Sequence, residues 1–207
     1  MIKLIIFDLD GVLLDKDIHF HSLNAAIDAY FPEAILTYDE HEEYYNGRPT
    51  REKLELLTLY RGLPKELYND IWYKKQRETS RMLYELKKDK KKIELLHELS
   101  KKYKLAMATN AIKDTANIAL LSLGLAGFLN PVISNEDVRY TKPYPDCYWK
   151  CMAAHKVLPY ETLIIEDSDL GIEGAENSGA YVYQCINDNY LDFDKIEKFI
   201  SDWGFHK

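Results

Sequence analysis

Residues 2–13 read IKLIIFDLDGVL: an apolar run that stops on Asp8, with Asp10 two places on and Gly11 directly after it. Four more short apolar runs end in polar residues. Residues 104–108 (KLAMA) stop at Thr109 and Asn110, residues 131–133 (PVI) at Ser134 and Asn135, and residues 162–165 (TLII) at Glu166 and Asp167. A weaker fifth run covers 181–184 (YVYQ). Near-continuous apolar runs of this length read as strands buried on both faces, as in a parallel sheet. Between them Ile112, Ala116, Ala119, Leu120 and Leu123 recur at helical spacing, with Gly124 placed to end the helix. Residues 145–156 and 169–178 fit two more helices, the second again stopping before a glycine, Gly179. Alternating strand and helix implies βαβ units with right-handed crossovers. In such sheets ligands gather outside the carboxyl ends of the strands. Asp8, Thr109, Asn110, Glu166 and Asp167 all fall there.

The stretch between the first two strands breaks this rhythm. Residues 15–100 are too many for one crossover helix and show helical patterns around 19–30, 50–60, 65–86 and 91–102 without a convincing strand. The reading is an α/β core of residues 1–14 and 86–207 with an inserted helical domain at 15–85, helix 91–102 being the first crossover of the core. The Lys-rich stretch from Lys87 to Lys92 reads as a solvated linker and helix start.

Composition narrows the partners. The chain has 207 residues, 46% hydrophobic and 29% charged, and a net charge of −7. That balance argues against a nucleic-acid groove, which needs a basic surface, while a locally positive pocket for a small phosphorylated metabolite remains compatible with it. No apolar stretch approaches a membrane span of about 20 residues, and Asp8 arrives too early for a signal peptide. A cytoplasmic protein, monomeric or weakly self-associating, is the expectation. Cys147, Cys151 and Cys185 suggest no disulfide framework. The first two, four apart, read as small semi-buried residues rather than half of a zinc site, since no matching Cys or His pair follows.

A lone DxDG is weak, because surface turns and calcium loops use the same letters. Here Thr109-Asn110, Lys142-Pro143 and Glu166-Asp167-Ser168, the last followed by Gly171 and Ile172, arrive in order after it. With these four segments the chain resembles the haloacid dehalogenase (HAD) superfamily, and KPYPDCY and IIEDSDLGIEGAENSGA resemble its phosphoglucomutase-like subfamily. The resemblance spans residues 2–182 and implies a Rossmann-like core with a parallel sheet and an inserted α-helical cap domain. It implies Asp8 as a nucleophile that is transiently phosphorylated, and Asp10 as the acid that protonates the leaving group and then the base for the attacking water. It implies Mg²⁺ held by Asp8, the Asp10 backbone carbonyl, Asp167 and, directly or through water, Glu166. Few protein ligands suit that ion's octahedral, water-retaining preference. Thr109 and the amide of Asn110 would hold phosphate oxygens, and Lys142 would stabilise the transferring group. An Asp two after the nucleophile marks phosphotransferases in this family, so dehalogenase chemistry is not expected.

The cap is less legible. His19 and His21 flank the place where family mutases carry a histidine, His19-Phe20 being the better match; a hinge histidine facing solvent fits equally. Gly47-Arg48-Pro49-Thr50-Arg51 resembles the family's substrate-specificity loop, in which Arg48 or Arg51 would bind a phosphate or sugar hydroxyls, and exposed charge is the alternative. Lys75 falls where mutases place a cap lysine, yet among Lys74, Arg77 and Arg81 it reads as part of a solvated face. Tyr44, Tyr45 and Tyr73 read as packing residues, with stacking on a substrate ring as the alternative. The expected function is hydrolysis of a small phosphomonoester, a sugar phosphate above others. A β-phosphoglucomutase-like phosphohexomutase is the alternative, followed by a catalytically silent binding or regulatory protein.

Overall fold

The computed structural model describes residues 1–185 and 191–204. The chain divides into two compact units, Met1–Asp15 with Lys87–Lys207, and Lys16–Leu86.

The first unit is built on five parallel strands: β1 (Leu4–Phe7), β2 (Lys104–Ala108), β3 (Val132–Ile133), β4 (Thr162–Glu166) and β5 (Tyr181–Gln184), in the order β3-β2-β1-β4-β5. The chain adds β2 and β3 on one side of β1, then crosses to add β4 and β5 on the other. That reversal is a topological switch point, where the loops on either side part and leave a crevice. All four residues of β1 are fully buried. Each such side chain contributes about 1.5–3 kcal/mol when withdrawn from water, which is why LIIF serves as a central strand and no edge. In register, Phe7 lies level with Met107 of β2 and Ile165 of β4. The residues that follow these three strands therefore emerge side by side.

Among the described residues, five helices accompany the sheet in this unit. Helix α5 (Lys90–Ser100) starts where the Asp89 side chain accepts from the Lys92 amide, and α6 (Lys113–Leu123) ends on Gly124 in the left-handed region. Helix α7 (Asp146–His155) buries Cys147, Tyr148, Cys151 and Met152 against Leu4, Ile6, Ala106 and Ile164, the even-numbered face of the three central strands. Both cysteines are thus fully buried rather than semi-buried. Helix α8 (Asp169–Asn177) begins at Ser168, whose hydroxyl accepts from the Gly171 amide at 3.2 Å. Helix α9 (Phe193–Gly204) was not anticipated from the sequence. Its Phe199 meets Tyr183 of β5 edge-on, and its Glu197 accepts from Tyr103 and Lys102.

The second unit is helical throughout: α1 (Asp17–Tyr30), α2 (Tyr38–Glu40) running into a wide turn at His41–Tyr45, α3 (Thr50–Arg61) and α4 (Tyr68–Tyr84). Its core joins Leu23, Ala26 and Ile27 of α1 to Leu54 and Leu57 of α3 and to Tyr68 and Ile71 of α4. The α2 turn also escaped the sequence reading, although Thr37 and Glu40 form a full capping box there.

Candidate active site

The loop after β1 carries the two aspartates. Asp8 continues the ladder by donating its amide to the Ile165 carbonyl at 3.0 Å, and its side chain is buried. Residues 9–14 then close a tight loop in which the Leu13 and Leu14 amides both donate to the Leu9 carbonyl. Gly11 makes this possible. Its φ is +85°, and a Cβ there would stand 1.9 Å from Oδ2 of Asp167. The backbone just after Asp10 is thereby pressed against Asp167, which only glycine permits.

Asp8, Glu166 and Asp167 each offer a carboxylate oxygen within 4.8 Å of the other two. Lys142 stands among them, its ammonium 2.5 Å from Oδ1 of Asp8 and also donating to Oε1 of Glu166. Burial works against the Lys142 ammonium, but the charges of Asp8 and Glu166 outweigh it and raise its pKa well above the ordinary lysine value. Burial, then the charge of Glu166, pushes the Asp8 carboxyl well above the carboxylate range against the pull of Lys142. The donor set is all oxygen, which fits a hard divalent cation such as Mg²⁺. Gly171 leaves room for the Glu166 side chain, because a Cβ there would come within 2.1 Å of its carboxyl.

Glu166 is fixed from several sides. Oε2 accepts from the amides of Asp167 and Ser168 and from the Ser168 hydroxyl, and Oε1 accepts from the Tyr148 hydroxyl at 2.8 Å. Tyr148 was not singled out from the sequence, and Ser168 was named there only as the end of its motif segment, without a role. Nothing in KPYPDCY marks its second tyrosine as facing inward; that follows only from the packing of α7.

After β2, buried Thr109 accepts from the Ala111 amide at 3.0 Å through its hydroxyl. Asn110 has a part the sequence did not suggest. Its side-chain oxygen accepts from the Lys142 amide at 3.1 Å and its carbonyl from the side chain of Asn135, so it ties three loops together. Asp8, Thr109, Asn110, Lys142, Glu166 and Asp167 are thus brought to one end of the sheet. Asp10 follows on the β1 loop, close enough for its charge to raise the Asp8 pKa.

The helical unit brings others together. Lys75 is no solvated residue. It is buried, with its Nζ 3.0 Å from Nδ1 of His19. The amphipathic face of α4 carries the lysine inward between Ile71 and Thr79, which run of charged letters alone conceals. Gly47 turns the chain at φ +71° before α3. Arg48 donates to the Tyr44 carbonyl at 3.0 Å, and Arg51 lies over the Tyr68 ring at 5.8 Å. Of the three tyrosines expected to pack, only Tyr45 is buried; Tyr44 and Tyr73 are exposed.

Comparison with known proteins agrees with this arrangement. The family model for haloacid dehalogenase-like hydrolases matches residues 5–184. A phosphorylated carbohydrates phosphatase from Thermotoga maritima is 30% identical over 84% of this chain and 81% of its own. The pyrophosphatase PpaX of Anoxybacillus flavithermus is 28% identical over 86% of this chain and 80% of its own. In fold, the crystal structure of β-phosphoglucomutase from Clostridium difficile superposes with a TM-score of 0.81 at 18% identity, covering 98% of this chain and 99% of that one. The chain belongs to the haloacid dehalogenase-like hydrolase family and is an enzyme of it. Its architecture is the Rossmann-like α/β fold seen in that family's β-phosphoglucomutase-like members.

Proposed function

We propose that the chain is a magnesium-dependent phosphomonoester hydrolase that acts on a small phosphorylated metabolite, a sugar phosphate above others, through a phosphorylated Asp8. The observation that carries this reading is the juxtaposition of Asp8, Glu166 and Asp167 around one end of β1 and β4, with Lys142 between Asp8 and Glu166. The phosphatases among its relatives support the reaction class.

When bound, Mg²⁺ would neutralise part of the substrate's charge and be held by Asp8, Asp167, Glu166 and the Asp10 backbone carbonyl. The Asp8 carboxylate attacks phosphorus as the ester P–O bond breaks, and Asp10 gives its proton to the departing alkoxide. Asp10, now a carboxylate, takes a proton from the water that attacks the acyl phosphate. Orthophosphate leaves, and both aspartates return to their starting states. Lys142 and Thr109, with the Asn110 amide, hold the oxygens on which charge accumulates. The buried thiols Cys147 and Cys151 suit a reducing compartment, and we read the enzyme as cytoplasmic.

A phosphohexomutase is the second reading, and the buried His19–Lys75 pair favours it, since a lysine set apart from its solvated neighbours is what a sugar-holding cap requires. One experiment tests both. Hexose 1-phosphates incubated with enzyme and Mg²⁺ yield free sugar and inorganic phosphate, with no turnover by Asp8→Asn of unchanged circular dichroism. Rapid formation of the 6-phosphate, primed by a trace of bisphosphate, would instead establish the mutase. Substantial activity in Asp8→Asn would defeat the mechanism.

A further inference from the structure

Lys142 reaches the acidic cluster from a turn that belongs to no strand or helix, between β3 and α7. Its side chain is nonetheless buried, with the ammonium against both Asp8 and Glu166. A lysine ammonium rides on a flexible stem, so its place depends on how firmly the backbone beneath it is held. The Asn110 side chain supplies that hold. Its Oδ1 accepts from the Lys142 amide at 3.1 Å, and its Nδ2 donates to the Lys142 carbonyl at 3.4 Å. One carboxamide thus takes both main-chain groups of one residue, as the edge of a strand would. Only Asn and Gln carry a neutral donor and acceptor side by side in this way.

Asn110 is itself anchored. The Asn135 side chain donates to the Asn110 carbonyl at 2.9 Å, and the Asn135 amide donates to the Ala111 carbonyl at 3.2 Å. The same two loops meet again at the start of α6. Ile112 makes no side-chain cap there, and Glu136 of the neighbouring loop accepts from the Lys113 amide at 2.7 Å instead. The Lys113 ammonium donates to Asp137 at 3.1 Å. The segment that carries Lys142 is therefore fastened to the loop after β2 twice, at residues 135–137 and again at Lys142 itself. A shift of the Asn110 carboxamide passes through the Lys142 backbone to the ammonium, and a misplacement of about 1 Å at a reacting centre can cost roughly 10² in rate.

We propose that Asn110, through its side-chain carboxamide, is a positioning residue that acts through Lys142, fixing the backbone from which the ammonium is aimed at the transferring phosphoryl group. The inference rests on the hydrolase proposed above. There the main-chain amide of Asn110 holds a phosphate oxygen, so one residue sets the spacing between two donors around the same group. Charge on the phosphoryl oxygens grows toward the transition state, and loss of aim at Lys142 therefore falls on kcat rather than on KM. A clasp that merely held the loop would act on folding and leave the two residues independent in turnover.

A double-mutant cycle on turnover tests this. With Mg²⁺ present, kcat and KM are measured for the wild type, Asn110→Ala, Lys142→Met and the double variant, on an aryl phosphate whose acidic leaving group keeps slow variants measurable. Circular dichroism verifies folding. Should Asn110→Ala not fold, Asn110→Gln, whose carboxamide is set one methylene further out, carries the same cycle. Asn110→Ala lowers kcat by roughly 10–10² with KM little changed, and the double variant is no slower than Lys142→Met alone. Losses that multiply, a change confined to KM, or an unaltered kcat would each overturn the proposal. If the wild type turns over no phosphomonoester, urea unfolding of the same four proteins takes the place of kinetics. Midpoint shifts that fail to add retain the Asn110–Lys142 coupling and refute the hydrolase reading alone, whereas additive shifts overturn the coupling as well.

Discussion

The hydroxyl of Tyr148 donates to Oε1 of Glu166 at 2.8 Å, the same oxygen that accepts from Lys142. A helix on one face of the sheet thus holds a carboxylate carried by the last residue of β4. The phenol is fully buried, and burial raises its pKa well above the usual tyrosine value, so it stays a donor.

Tyr148→Phe removes that donor with little change in volume. Stability should drop by about 1–2 kcal/mol, measured by urea unfolding. Mg²⁺ affinity, read by calorimetry without substrate, should weaken by roughly tenfold or more, because the carboxylate is left less firmly aimed. Unchanged affinity would show that Lys142 and the amides of Asp167 and Ser168 suffice to hold Glu166.

Asp10→Ala separates proton transfer from binding. The backbone carbonyl survives the substitution, so Mg²⁺ should still bind, while turnover of alkyl phosphates falls by roughly 10²–10⁴. Aryl phosphates with acidic leaving groups need no proton and should lose far less. A uniform loss across leaving groups would count against Asp10 as the acid.

His41 makes stability depend on pH. Its folded pKa is lowered from 6.5 to about 2 by burial first and by Lys53 next. Below pH 6.5 the unfolded chain takes up a proton that the folded chain refuses until about pH 2. Stability should therefore fall as the solution is acidified through that window, this group adding up to about 1.4 kcal/mol per pH unit. Urea melts at about pH 7 and about pH 5 check the sign, and His41→Gln should show the flatter dependence. An equally steep loss in the variant would assign it to other groups.

The strands were legible because apolar runs that end in polar residues state both halves of the problem locally: what must be buried, and where the chain returns to water. All five runs became strands, and their carboxyl ends carry Asp8, Thr109 and Glu166-Asp167 as their spacing along the chain requires. Glycine was legible too: Gly124 and Gly179 do stand at positive φ at the ends of α6 and α8. What periodicity could not convey is which polar residue goes inside. Lys75 sits among charged neighbours and reads as solvated, Lys53 and His41 attract no notice, and Tyr148 is one of sixteen tyrosines. Their burial depends on which elements pack against each other across long sequence separations, 56 residues from His19 to Lys75 and 18 from Tyr148 to Glu166. A side chain's letter fixes its charge and its donors. Only the assembled neighbours decide whether those are spent on water, on a partner or on a ligand.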